Sequence, residues 1–238
     1  MRPTPVYYRL RQSVIEAERK FHFDKSLLER FRANNGNPPF FRLEYLGKKT
    51  FEDIYFDQNE LLCSNGIWVR KRNGNWQAKL RQKGGGGEGG EGGFTNAQYE
   101  ELEGKDRILD MIRGRRLNVN NDNNADPNCE RLGLQLFARY TTYREAWKLD
   151  EKFEVVLDTT DFGHSVGEVE LVETIEVEDD DEQAATARKR AVASDMDGKI
   201  EAFMRQYSWA FGKKKKPVGK LTAYFSAIRA GTLTLDRY

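Results

Sequence analysis

Glu16, Glu18 and Lys20 recur at a spacing of two in Val14-Ile-Glu-Ala-Glu-Arg-Lys-Phe21. In an extended strand that spacing puts all three side chains on one face, with Ile15, Ala17 and Phe21 on the other, toward a core. The charged face is a poor one for a stable open sheet. Two carboxylates about 4 Å apart repel by about 4 kcal/mol at an effective dielectric near 20. A divalent cation removes that cost, and the lysine can then meet an anionic ligand held by the metal. A solvated strand face is the plain alternative for one such stripe, but the chain repeats the device.

The same alternation places Arg70 and Arg72 beside Trp68 in Gly66-Ile-Trp-Val-Arg-Lys-Arg72, and Lys79 continues it across a hairpin in Gln77-Ala-Lys-Leu-Arg81. Arg144 lies in a further strand pattern, Glu168 and Glu170 repeat the Glu-x-Glu pair with Val169 and Leu171 facing away, and Lys220 opens the last helix. The strand patterns fall at 13–23, 40–57, 66–72, 75–83, 95–103, 136–149, 152–159 and 165–176, with the turn Asn73-Gly74 joining two of them. Helices are predicted at 24–33, opened by Asp24, at 105–114, at about 180–210 with Ile200, Phe203, Met204 and Tyr207 at helical spacing, and at about 219–230. Eight strands with few helices between them suit an α+β fold, a closed eight-stranded antiparallel barrel flanked by helices.

In such a barrel, helices outside would meet the apolar half of each strand, and the charged half would line the lumen. An interior of arginines and paired carboxylates is costly to desolvate unless it holds water and a ligand. The matching ligand is a polyanion with a bound metal. Arginine forks and lysines take phosphoryl oxygens, while carboxylates hold hard Mg²⁺ or Mn²⁺.

Composition narrows the remaining classes. With 39 Lys and Arg against 38 Asp and Glu among 238 residues, no global charge draws the chain to nucleic acid or membrane. Cys63 and Cys129 make no disulfide framework or zinc site, and His22 and His164 are too few for a histidine centre. No long apolar run or secretory leader is evident, so the expectation is a monomeric, cytoplasmic protein acting on a small molecule. One domain over about 13–230 accommodates all the strands, with flexible insertions at the Gly-rich 84–94 and the Asn-rich 118–128. The run Lys213–Lys216 lacks interleaved aromatics and reads as a solvated loop.

Glu16-x-Glu18-x-Lys20 resembles the signature of the CYTH superfamily, the triphosphate tunnel metalloenzymes. Phe51–Asp57, Gly66–Arg72, Trp76–Lys79, Ala146–Leu149 and Leu157–Gly163 through Val166–Glu170 follow in family order. The series looks most like the animal-type thiamine triphosphatases. That resemblance implies Mg²⁺-dependent hydrolysis of thiamine triphosphate to thiamine diphosphate and phosphate. It implies metal ligation by Glu16, Glu18 and Glu170, and triphosphate contacts from Lys20, Arg70, Arg72, Lys79, Arg144 and Lys220. Glu168 and Glu101 match further tunnel carboxylates. Lys20 and Glu168 are the candidate catalytic groups, and Trp68 resembles the aromatic residue that stacks on the thiamine ring. Val156 stands where these enzymes can carry a metal-binding acid, and Asp158, on the same strand face, is the candidate substitute. The alternatives are hydrolysis of inorganic triphosphate or RNA 5′-triphosphate, adenylate cyclisation, or non-catalytic polyphosphate binding.

Overall fold

A computed structural model of the chain describes residues 10–82, 95–115, 117, 133–178, 181–211 and 216–234. Both proposed insertions, and Lys213–Lys215 of the lysine run, lie outside the described residues. The strands are β1 (Leu10–Phe21), β2 (Leu43–Asp57), β3 (Ile67–Arg72), β4 (Asn75–Arg81), β5 (Thr95–Glu103), β6 (Gln135–Leu149), β7 (Phe153–Thr160) and β8 (Ser165–Glu178). They close an antiparallel ring in the order β1-β5-β4-β3-β2-β6-β7-β8. The helices are α1 (Lys25–Arg32), α2 (Leu61–Ser64), α3 (Lys105–Gly114), α4 (Glu182–Gln206) and α5 (Lys220–Arg229).

Local chemistry sets several of the boundaries. Asp24 caps α1 by accepting from the Leu27 amide, and Asp181 caps α4 through Ala184. Asn73 and Gly74 both have positive φ, 47° and 84°, which lets a two-residue turn join β3 to β4. The four-residue α2 has no periodicity to read in the sequence. It is held by Asp57, whose carboxylate accepts from the amides of Gln58, Leu62 and Cys63.

The apolar core lies outside the barrel wall, as the two-faced strands require. Ile15, Ala17, Val155, Leu157, Val169 and Leu171 pack against Ala193, Met196, Ile200 and Phe203 of α4. Val69, Ala78 and Leu80 pack against Ile108, Leu109 and Ile112 of α3. Arg19, on the core face of β1, is buried too and forks onto Asp197 of α4 at 2.7 and 2.9 Å, with Glu201 at 3.0 Å. Among the described residues no helix is long and apolar enough to cross a membrane.

Close approach of β1 and β8 depends on a glycine. Gly167 faces Phe21 in register, and a Cβ built there would lie 2.3 Å from the fully buried Phe21 ring. Phe21 is itself wedged edge-on against Phe211. Gly167→Ala should therefore destabilise the fold by about 1–3 kcal/mol, the usual cost of overpacking a filled core. Urea unfolding checks this as a lowered midpoint at unchanged slope.

Candidate active site

Parity along the strands delivers charged side chains to one cavity of about 360 Å³ inside the ring. β1 supplies Glu16, Glu18 and Lys20, and β8 supplies Glu168 and Glu170. β3 supplies Trp68, Arg70 and Arg72, β4 Lys79, β5 Glu101, β6 Arg144, and the first turn of α5 adds Lys220. Register explains the meeting across β1 and β8, where Glu18 faces Glu170 and Lys20 faces Glu168. Every sequence-predicted site residue except Asp158 lines this cavity.

Ion pairs lace the lumen. Lys20 donates to Glu18 and lies 3.0 Å from Glu168. Lys79 donates to Glu16 and lies within 3.5 Å of Glu18 and 3.4 Å of Glu101. Lys220 donates to Asp158 and reaches Glu168 at 3.5 Å. Arg144 forks onto Asp158 at 2.7 and 2.8 Å and approaches Glu168 at 3.7 Å.

Asp158 is thus corrected from candidate metal ligand to anchor. It is fully buried, and its oxygens are taken by Arg144 and Lys220, two cations that it shares with Glu168. A matching anchor, Asp53, carries no sequence-level role. It too is fully buried and takes both arms of Arg72 at 2.8 Å, with Arg70 at 3.8 Å. The signal for it was available, since Asp53 shares the parity of Tyr55 and pairs with Arg72 across β2 and β3. Tyr55, Tyr99, Tyr140, Gln77 and Arg81 also line the cavity and were not singled out by sequence. Arg81 continues the alternation of Lys79.

The buried carboxylates fall into two electrostatic classes. Burial pushes the Glu168 carboxyl up, but Lys20, Lys220 and Arg144 outweigh it and hold the group well below its usual range. Glu18 is likewise held low, with Lys20 and Lys79 overcoming its burial. Glu16 is pushed up to about 7 by burial, and the neighbouring Glu18 and Glu101 add to the rise against the pull of Lys79. Burial also raises Glu170 well above the usual range; Arg144 opposes this, while Glu16 and Glu168 reinforce it. One oxygen from each of Glu16, Glu18 and Glu170 lies within 4.8 Å of the others. Three buried oxygens with two raised acids among them fit a hard divalent cation, which would offset both the burial and the neighbouring negative charge that raise those acids.

A closed antiparallel barrel with a carboxylate cluster beside a set of fixed cations is the class that fold and site define. The CYTH domain family model matches residues 15–206, and the chain belongs to that family. Within it, the chain is 34% identical to the thiamine-triphosphatase of Homo sapiens over 172 residues, 68% of this chain and 69% of the relative. It is 33% identical to the thiamine-triphosphatase of Macaca fascicularis over 173 residues, with the same coverage of both chains. A solved protein from Pyrococcus horikoshii shares the fold, with a TM-score of 0.51 and 16% identity across 89% of this chain and 98% of that one. The family resemblance and the barrel expected from the sequence are both found.

The raised acids give binding of the cation a pH dependence. A metal entering the cluster must displace protons from Glu16 and Glu170, so its apparent affinity falls as pH falls through about 7. Between pH 8 and pH 6, affinity for a divalent cation should drop by about tenfold through Glu16 alone, and further through Glu170, which is raised in the same direction. Calorimetric titration in buffers of different ionisation enthalpy reads both the affinity and the protons released.

Proposed function

We propose that this chain is a Mg²⁺-dependent thiamine triphosphatase that releases thiamine diphosphate and phosphate. The observation that carries the reading is the division of one cavity into a three-carboxylate cluster and a facing set of arginines and lysines. The two thiamine-triphosphatase relatives and the position of Trp68 in the cavity wall support the thiamine end of it. Because β1 and β8 close one ring, the reading treats the barrel and its helices as a single domain.

In this reading Glu16, Glu18 and Glu170 hold the cation, with Mg²⁺ or Mn²⁺ suiting their oxygen ligands. When bound, the ion supplies charge neutralisation at phosphoryl oxygens and acidifies water. Arg70, Arg72, Arg144, Lys79 and Lys220 bind the phosphate chain and fix it in line. The forks of Arg72 and Arg144 are aimed in advance by Asp53 and Asp158.

Lys20 sits against burial, yet Glu168 and Glu18 hold its pKa well above normal, so it keeps its proton. It therefore serves as a hydrogen-bond donor to the transferred phosphoryl group and not as the base. Glu168 stays ionised and keeps Lys20, Lys220 and Arg144 directed at the substrate, and Glu101 does the same for Lys79. Trp68 meets the thiamine rings. The same phosphate contacts would serve inorganic triphosphate, so substrate comparison is the discriminating measurement.

Phosphate release from thiamine triphosphate, inorganic triphosphate and ATP, each with Mg²⁺ and with EDTA, should show a Mg²⁺-dependent preference for thiamine triphosphate. A preference for inorganic triphosphate would overturn the thiamine assignment. Glu16→Gln and Glu18→Gln should each remove most of the activity while leaving the folded spectrum unchanged, since neither side chain packs in the outer core. Arg72→Lys keeps a counter-charge for Asp53 but loses the fork. Charged hydrogen bonds are worth about 1.5–3 kcal/mol, so kcat/KM should fall about tenfold to a hundredfold. Lys71 points outward, 4.7 Å from the Trp76 ring, and Lys71→Ala should leave activity within about twofold of wild type.

A further inference from the structure

Arg81 differs from the other cations of the lumen. Lys20, Arg70, Arg72, Lys79, Arg144 and Lys220 all lie within 4 Å of a carboxylate. Among the described residues Arg81 makes no ion pair. Its guanidinium instead stands over the ring of Trp68, 5.2 Å from the centroid. Register puts it there, because Trp68 faces Lys79 across β3 and β4 while Arg81 faces Tyr99 across β4 and β5. Tyr99 meets Trp68 edge to face at 5.7 Å and carries Lys79 over its own ring at 5.1 Å. Both rings thus already have a cation of the protein near them. Lys79 is tied to Glu16, whereas Arg81 is solvent-exposed and held at Trp68 by a contact of the weak, exposed kind.

We propose that Arg81 is a specificity residue, a built-in competitor that occupies the Trp68 face until a cationic head group displaces it. The inference rests on the reading that Trp68 receives the thiamine rings. A positively charged aromatic head gains only the exchange of one cation for another over the Trp68 ring. A ligand of phosphates alone does not need that face and is indifferent to the exchange. Removing Arg81 should therefore strengthen binding of the cationic head, the opposite of what loss of an ordinary contact residue does.

The test is calorimetric binding of thiamine diphosphate and of inorganic pyrophosphate, both with Mg²⁺, to wild type, Arg81→Ala, Trp68→Ala and the double variant. Arg81→Ala should bind thiamine diphosphate about twofold to fivefold more tightly, the range of an exposed cation–ring contact, and bind pyrophosphate within twofold of wild type. In the Trp68→Ala background the Arg81 substitution should change neither affinity. Weaker thiamine diphosphate binding in Arg81→Ala, an equal change for both ligands, or an effect that survives without Trp68 would overturn the proposal. Absence of thiamine triphosphate turnover would defeat the substrate reading separately, because these affinities need no catalysis.

Discussion

Taking carboxylates out of water is the cost around which this barrel is arranged. Glu168 and Glu170 lie two residues apart on one strand face, both buried, yet their ionisation is driven in opposite directions. Burial raises both. Glu168 escapes because Lys20, Lys220, Arg144 and Lys79 all pull it down, while Glu170 has only Arg144 and Lys79 against Glu16 and Glu168. That difference divides the lumen into a part whose charges are already matched and a part that is short of positive charge. Two of the three gathered oxygens, those of Glu16 and Glu170, belong to the short part.

The matched part has its own support on the inward faces of β2 and β7. Asp53 and Asp158 each occupy a fully buried position and each take both arms of one arginine. An arginine held this way loses little further freedom when it meets an anion, since its side chain is already ordered. The arrangement also keeps the lumen close to electroneutral without a ligand, which limits the self-repulsion a row of bare cations would impose.

Much of this was legible in the chain. Period-two alternation in short, well-bounded strands carries strand number, strand face and the identity of the lumen residues together, and the α3 boundaries emerged unchanged. Asp158 was misassigned because parity says which face a residue takes and not which neighbour it meets; pairing with Arg144 is a register property of β6 and β7. Asp53 was passed over for the same reason. Arg81 obeyed the alternation and was left aside because an arginine at a strand end carries no distinguishing signal until the Trp68 ring is found beneath it. Helix α2 is too short for any periodicity to show.

The position of β1 in the ring has a consequence for how the protein comes into being. Among the described strands this one is made first, but its two neighbours are β5 and β8, the latter made last. Until β8 exists, β1 has an unsatisfied edge, and its alternating acids and lysine discourage the edge-to-edge association that such a strand invites. Closing the ring is also the event that brings Glu170 to Glu16 and Glu18. A nascent chain released before β8 would therefore hold most of the basic residues and still lack the third acid. In this topology, completion of the barrel and completion of the oxygen cluster are one step of folding.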